Sequence, residues 1–193
     1  MSEKLSKTDL RKSLRSARKA HVAALPESAR ALILHRPPAP LLMLIPEDAV
    51  IGLYHATANE APASGYAKFF QEAGHAIALP WFESEAAPME FAAHTDPFDA
   101  GDCERGPFGI IQPLATAPAI TPNILFVPLV GFTTTGDRLG QGMGHYDRWL
   151  AAHPGTVAIG LAWDCQLHEN LPIEEHDQPL SAVVTPTRFY GPF

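Results

Sequence analysis

Apolar positions along the chain follow two rhythms, and these set the expected elements. Over residues 7–24 the rhythm is helical. Leu10, Leu14 and Ala17 recur on one side, while Lys7, Arg11, Arg15 and Arg18 share a narrow arc on another. Ser6 can cap this helix, with Asp9 three residues later in a capping-box-like place. A second helical stretch is expected from Pro26 to about Arg36, where Pro37 and Pro38 stop it. Further on, residues 50–55, 76–81, 89–93, 124–130, 157–163 and 183–185 read as strands, the last closing the sheet. Residues 66–73, ended by Gly74, and 145–152 read as helices, and the chain from Phe189 onward as a tail. Strands and helices alternating over short connections predict an α/β fold. The expected form is three layers, α/β/α, around a largely parallel central sheet, with a basic stripe on the N-terminal helix. Pro128 interrupts the most apolar strand, ILFVPLV, and removes a ladder hydrogen bond, which marks the strand's exit into a functional loop.

Composition narrows the class. A chain of 193 residues, 46% hydrophobic and 18% charged, can bury a core as one domain over residues 1–193. A formal charge of −7 argues against nucleic acid or a membrane surface as partner, because both call for net basic surface. The first nineteen residues nonetheless carry Lys4, Lys7, Arg11, Lys12, Arg15, Arg18 and Lys19 against only Glu3 and Asp9. Such a local patch suits a small anionic ligand. Cys103 and Cys165 have no CxxC spacing, so neither a disulfide framework nor a zinc site is expected, and a reducing compartment follows. The polar start has no signal-peptide core, and no apolar run approaches the ~20 residues of a membrane span. A soluble cytoplasmic protein is the expectation.

Ligands of open α/β sheets bind beyond the carboxyl ends of the strands. The segment after residues 124–130 holds Gly131, Gly136, Gly140, Gly142 and Gly144. Glycine at every second position from Gly140 to Gly144 lets successive N–H groups turn toward one anion, and the following helix adds its N-terminal dipole. Arg138 offers a guanidinium fork suited to phosphate. The run fits neither GxGxxG, because His145 stands at the third glycine, nor GxxxxGK[ST]. Asp147 reads either as a helix-start carboxylate favoured by the dipole or as a magnesium ligand.

The stretch FVPLVGFTTTGDRLGQGMGHYDRWL (126–150) resembles the signature of the 5-formyltetrahydrofolate cyclo-ligase family, also called 5,10-methenyltetrahydrofolate synthetases. Similar elements occur in order elsewhere: Lys7 to Arg11 as a KxxxR helix motif, Glu60 after IGLYHATAN, PFGIIQP (107–113) and GLAWDCQLHENLPIEEHD (160–177). The resemblance implies an ATP- and Mg²⁺-dependent enzyme that converts 5-formyltetrahydrofolate into 5,10-methenyltetrahydrofolate, releasing ADP and phosphate. It implies catalytic roles for Arg138, Lys7 and Arg11, with Lys7 and Arg11 at the ATP phosphates. Arg138, Leu139, Gly140, Gln141, Gly142, Met143, Gly144, His145 and Tyr146 would wrap the nucleotide. His55, Glu60, Gln141, Gly142 and His145 would face the reduced folate, and Asp147 and Asp177 would hold Mg²⁺.

Three positions depart from the family pattern: His145 for the first tyrosine of YYD, Thr133 for an aspartate, and Gln112 for a glutamate before Pro113. They bear on substrate affinity and pH profile rather than on reaction class. The alternative reading is a non-catalytic folate or nucleotide binder that has kept the cleft, and His145 is the feature that favours it. Arg15 and Arg18 are expected on a solvated helix face, and Trp81, Trp149 and Trp163 in the core.

Overall fold

The structure is a computed structural model and describes residues 6–30 and 32–193. Glu3 and Lys4 of the basic segment lie outside the described residues. The chain begins with α1 (Lys7–Ala24), α2 (Glu27–Arg30), α3 (Ala39–Leu42), β1 (Val50–Gly52), α4 (Ser64–Glu72) and β2 (Ala76–Trp81). It continues through β3 (Glu90–His94), β4 (Cys103–Arg105), β5 (Ile111–Pro113), β6 (Ile124–Pro128), β7 (Gly131–Phe132) and β8 (Arg138–Leu139). It ends with α5 (His145–Ala152), β9 (Val157–Leu161), β10 (Ala182–Val184) and β11 (Phe189–Tyr190).

Seven strands form the main sheet in the order β11-β10-β9-β6-β1-β2-β3. The inner five run parallel, while β3 and β11 add antiparallel edges. The strand order reverses between β1 and β6. From β1 the chain crosses through α4 to β2 on one side, and from β6 it crosses through α5 to β9 on the other. Two parallel neighbours whose connections leave in opposite directions open a crevice at their carboxyl ends.

Period-two alternation distributes the strands' side chains between two cores. Ile124 and Phe126 of β6 pack in one cluster with Val22 of α1 and Tyr66 and Phe70 of α4. Leu125 and Val127 belong to a second cluster with Trp149 and Leu150 of α5. Helices therefore cover both faces, as the three-layer expectation requires. A third, smaller cluster joins Leu10 and Leu14 of α1 to Val130, Leu139 and Leu171, and docks α1 beside the crevice.

Several elements differ from the sequence expectation. The second helix is a single turn, Glu27–Arg30, and Leu34 further on takes a left-handed conformation (φ 53°) with its side chain in the core at 7% exposure. The chain beyond Phe189 is not a tail: β11 pairs with β10 in the register Val183 to Tyr190 and closes the sheet in place of residues 183–185. Trp149 and Trp163 are buried, but Trp81 is only half-buried. Pro128 is the last residue of β6, opposite Leu161 of β9, so its missing N–H falls where the strand leaves the sheet. Among the described residues, no helix is long and apolar enough to cross a membrane.

Candidate functional site

A cleft of about 750 Å³ opens at the carboxyl ends of β1, β2 and β6. Tyr54 and His55 enter it just after β1, Pro80 and Phe82 from the end of β2, and Val127 and Pro128 from β6. Every residue that the sequence proposed for a site lines it: Lys7, Arg11, His55, Glu60, the run from Arg138 to Tyr146, Asp147 and Asp177.

Helix α1 supplies the cationic wall. Its start is fixed as expected, with the Asp9 amide donating to Ser6 Oγ at 3.1 Å. Burial of Leu10 and Leu14 then sets the helix's rotation and carries the basic arc over the cleft. Lys7 Nζ donates to Asp177 Oδ2 at 2.7 Å and lies 3.0 Å from Glu174 Oε2. Burial alone would lower the Lys7 pKa, but the hydrogen bonds to Asp177 and Glu174 outweigh it and raise it. Burial would likewise raise the Asp177 pKa, and Lys7 together with the Glu174 amide holds it below the ordinary range. Arg11 Nε donates to the Gly140 carbonyl at 2.9 Å. Arg15 Nη2 donates to the Gln141 carbonyl at 2.7 Å, and Gln141 Nε2 donates to Glu60 Oε1 at 3.1 Å. The glycine loop is thus strapped across the cleft mouth between α1 and the segment after β1.

Arg18 corrects the sequence reading. It is not on a solvated face but 7% exposed, lines the cleft, and donates from Nη1 to the Leu129 carbonyl at 3.2 Å. Leu10, Leu14, Arg18 and Val22 form one buried stripe at intervals of four, which carries Arg18 inward. Arg15, by contrast, is exposed as expected.

In the loop itself, Gly142 (φ 108°) and Gly144 (φ 67°) occupy the left-handed region, and Gly144 caps α5. Gly140 does not have a positive φ, so the alternating glycines differ in role. Arg138 on β8 is 6% exposed. Its Nη2 donates a short hydrogen bond to Asp147 Oδ1, which also accepts from the Gln178 amide at 3.1 Å. Its Nη1 is buried without a partner among the described residues. An unsatisfied guanidinium nitrogen in a ligand-sized cleft is a donor waiting for an acceptor.

An aromatic wall faces this cationic side. The His145 ring stands edge-on to Phe82 (centroids 4.9 Å) and tilted to Phe108 (5.5 Å). Phe108 is held in a left-handed conformation (φ 58°, ψ 7°), an unusual state for a phenylalanine that here turns the ring into the cleft. Gln112 is buried and fixes Phe82: its Oε1 accepts from the Phe82 amide at 3.0 Å and its Nε2 donates to the Phe82 carbonyl at 3.1 Å. A carboxylate there could accept but not donate. Thr133 serves a turn, its hydroxyl bonding Thr135 and Asp137. Burial, and then Glu60, pushes the Tyr146 phenol upward, so it stays a donor.

Burial, followed by the neighbouring Arg148 charge, lowers the His145 pKa below 6.5. The ring is therefore neutral at pH 7 and acts as an aromatic. The folded state binds that proton less readily than the unfolded chain, so stability present above 6.5 is lost as the pH falls through that value toward the depressed one. His55 is shifted in the same direction, by burial and then by His94. Melting temperatures from ~pH 8 to ~pH 5 should therefore fall less steeply for His145→Phe than for the wild-type chain. Parallel curves would show that His145 does not carry the shift.

Two expected metal ligands are separated in their partners. Asp177 groups with Glu174 and His176, their donor atoms within 4.8 Å of one another, whereas Asp147 is engaged by Arg138 and is not in that group. Glu174 and Asp177 supply the carboxylates that Mg²⁺ prefers, and Lys7 Nζ now bridges them. Sequence reading missed Glu174, Arg18, Phe82 and Phe108. Phe108 and Glu174 lie inside the segments PFGIIQP and LPIEEHD, where no local pattern marks them for a role.

A strand-order reversal, a basic helix and a glycine loop capping a helix define an open α/β protein with a cation-lined crevice at its switch point. The sequence profile of the 5-formyltetrahydrofolate cyclo-ligase family matches residues 3–186, and the chain belongs to that family. The 5-formyltetrahydrofolate cyclo-ligase of Escherichia coli (strain K12) is 51% identical over 70 residues, a stretch covering 35% of this chain and 38% of that protein. The 5,10-methenyltetrahydrofolate synthetase of Aquifex aeolicus superposes with a TM-score of 0.75 at 26% identity, over 97% of this chain and 93% of the other. The Mycoplasma pneumoniae 5,10-methenyltetrahydrofolate synthetase superposes with a TM-score of 0.67 at 20% identity, over 93% of this chain and 98% of the other, a likeness of fold.

Proposed function

We propose that this chain converts 5-formyltetrahydrofolate into 5,10-methenyltetrahydrofolate at the expense of ATP. The observation that carries the reading is the unpartnered Nη1 of buried Arg138, in a cleft with cations on one wall and aromatic rings on the other. A formamide is a poor electrophile because its nitrogen donates into the carbonyl. Transfer of the γ-phosphoryl group to the formyl oxygen makes that oxygen a leaving group and the carbon iminium-like. The folate's second nitrogen then attacks the carbon and gives up its proton, and the carbon–oxygen bond breaks to release phosphate carrying the formyl oxygen. No protein nucleophile is needed.

The protein's tasks are alignment and charge neutralisation. Arg138 Nη1 would bond a phosphate oxygen, with the loop from Leu139 to Tyr146 around the nucleotide. Lys7 and Arg11 would leave Asp177 and the Gly140 carbonyl for the phosphates. Glu174 and Asp177 are the residues that would hold Mg²⁺, with Asp147 orienting Arg138. The metal, when bound, neutralises phosphate charge. Phe82, Phe108 and neutral His145 offer ring faces and edges to the pterin. Glu60, which already accepts from Gln141, is a natural acceptor for amino-pyrimidine donors. His55 also lines the cleft and would face the folate. A cytoplasmic location is in keeping with these substrates.

The test is direct. With ATP, Mg²⁺ and 5-formyltetrahydrofolate, absorbance of the methenyl product should rise in step with ADP. Folate binding by calorimetry without ADP release would instead identify a non-catalytic binder. ATP binding that folates do not enhance would point to a different phosphoryl-transfer substrate.

A further inference from the structure

A second cluster of chemically able side chains lies on edge strand β3 and the start of β4, and none of its members lines the cleft. Buried His94 places Nδ1 at 2.9 Å and 3.1 Å from the two oxygens of Asp102. Cys103 Sγ stands 3.5 Å from the same nitrogen and 3.6 Å from Asp102 Oδ1. One nitrogen, one oxygen and one sulfur thus converge, all within 4.8 Å of one another. We propose that His94, Asp102 and Cys103 form a binding site for a zinc-class divalent transition metal, with water as the fourth ligand.

The separations match the coordination polyhedron. A tetrahedral ion with bonds of about 2.0–2.1 Å to nitrogen and oxygen and about 2.3 Å to sulfur has N···S and O···S edges of about 3.5 Å. The observed edges are 3.5 Å and 3.6 Å. The N···O edge of such an ion is about 3.3 Å, so only the Asp102 oxygen has to withdraw, by a few tenths of an ångström. Thiolate and imidazole donors select zinc-class ions over Mg²⁺ or Ca²⁺. Asp102 is also held from behind: its Oδ2 accepts from the Thr95 amide at 2.6 Å and from Thr95 Oγ1 at 3.3 Å. Such outer contacts orient a ligating carboxylate.

The proton balance is simple. An ionised carboxylate only accepts, so His94 Nδ1 carries the hydrogen in the Asp102 bond. On metal binding that proton moves through solvent to Nε2, and the Cys103 thiol proton is released. The site would pin β4 to β3, and β4 pairs with β5 across the turn that carries Phe108. It would therefore brace the aromatic wall of the cleft. Sequence spacing could not show it, because the donors sit eight and nine residues apart on two strands without a CxxC pattern.

Cobalt(II) titration of the full chain, reduced and stripped of metal, tests the proposal. The expected result is a thiolate-to-cobalt charge-transfer band that saturates at one equivalent and is displaced by Zn²⁺. Cys103→Ser should lose the band and Cys165→Ser should keep it. Asp102→Asn should weaken Co²⁺ binding by at least about tenfold. Zn²⁺ should raise the melting temperature of the wild-type chain and not that of Cys103→Ser. The proposal is overturned if the wild type gives no band, if the band survives Cys103→Ser, or if Cys165→Ser removes it.

Discussion

Replacing Arg138 by alanine should lower methenyl formation by at least about 10²–10³-fold, the loss seen when one preorganised charge-stabilising donor is removed. The magnitude follows from where the guanidinium sits. At 6% exposure it is screened little by water, so a phosphate oxygen bonded to Nη1 would be held in a low-dielectric site. The other cations of the cleft do not reproduce it: Lys7 and Arg11 would serve other phosphate oxygens, Arg18 donates to the Leu129 carbonyl, and Arg15 and Arg148 donate to Gln141 and His145. The variant also strands Asp147, leaving its Oδ1 with the Gln178 amide. Some stability is therefore lost with the activity. Arg138→Met keeps the packed stem and removes the charge, so it loses less stability than the alanine variant while still leaving Asp147 without its guanidinium. Both variants should retain the wild-type circular dichroism, with turnover lost in each. Activity within about tenfold of wild type in a folded Arg138→Met would rule out the phosphate role.

The second large effect is on stability. Phe126→Ala is expected to cost about 3–5 kcal/mol, the range for deleting a large aromatic from a core that cannot collapse around the gap. Phe126 is fully buried in β6, its ring 5.5 Å from Tyr66 and 5.8 Å from Phe70. It bridges the sheet to α4 at the strand beside the switch point, where the parallel ladders to β1 and β9 limit backbone movement. For a chain of this size the melting temperature should drop by roughly 10 °C. Urea unfolding supplies the check: the midpoint should fall with little change in slope. A loss below about 1 kcal/mol would mean that the aromatic cluster is not packed as described. Because β6 carries Pro128 into the cleft, the variant should also weaken ligand binding.

The parts legible in the sequence are those set by near neighbours in the chain. The cap at Ser6, the full extent of α1, α5 over 145–152 and the strand 76–81 follow from local periodicity and capping chemistry. So does the glycine loop, where Gly142 and Gly144 take conformations that Cβ-bearing residues avoid. The candidate residues from Arg138 to Asp147 are contiguous, so the local sequence alone brings them together.

What only the tertiary structure decided concerns distance in the chain. The reversal of strand order between β1 and β6 puts Tyr54, Phe82 and Pro128 around one crevice, and no local pattern encodes that order. Arg18 looked like one more solvated cation because its charge suggested water. The packing of the Leu10–Leu14–Val22 stripe, not its charge, set its place. The ion pair between Lys7 and Asp177 spans nearly the whole chain, and the His94–Asp102–Cys103 convergence depends on how β4 returns to β3. Local chemistry determined which groups this protein can use. The packing of an α/β sheet against its helices, driven by burial of apolar faces, decided which of those groups meet.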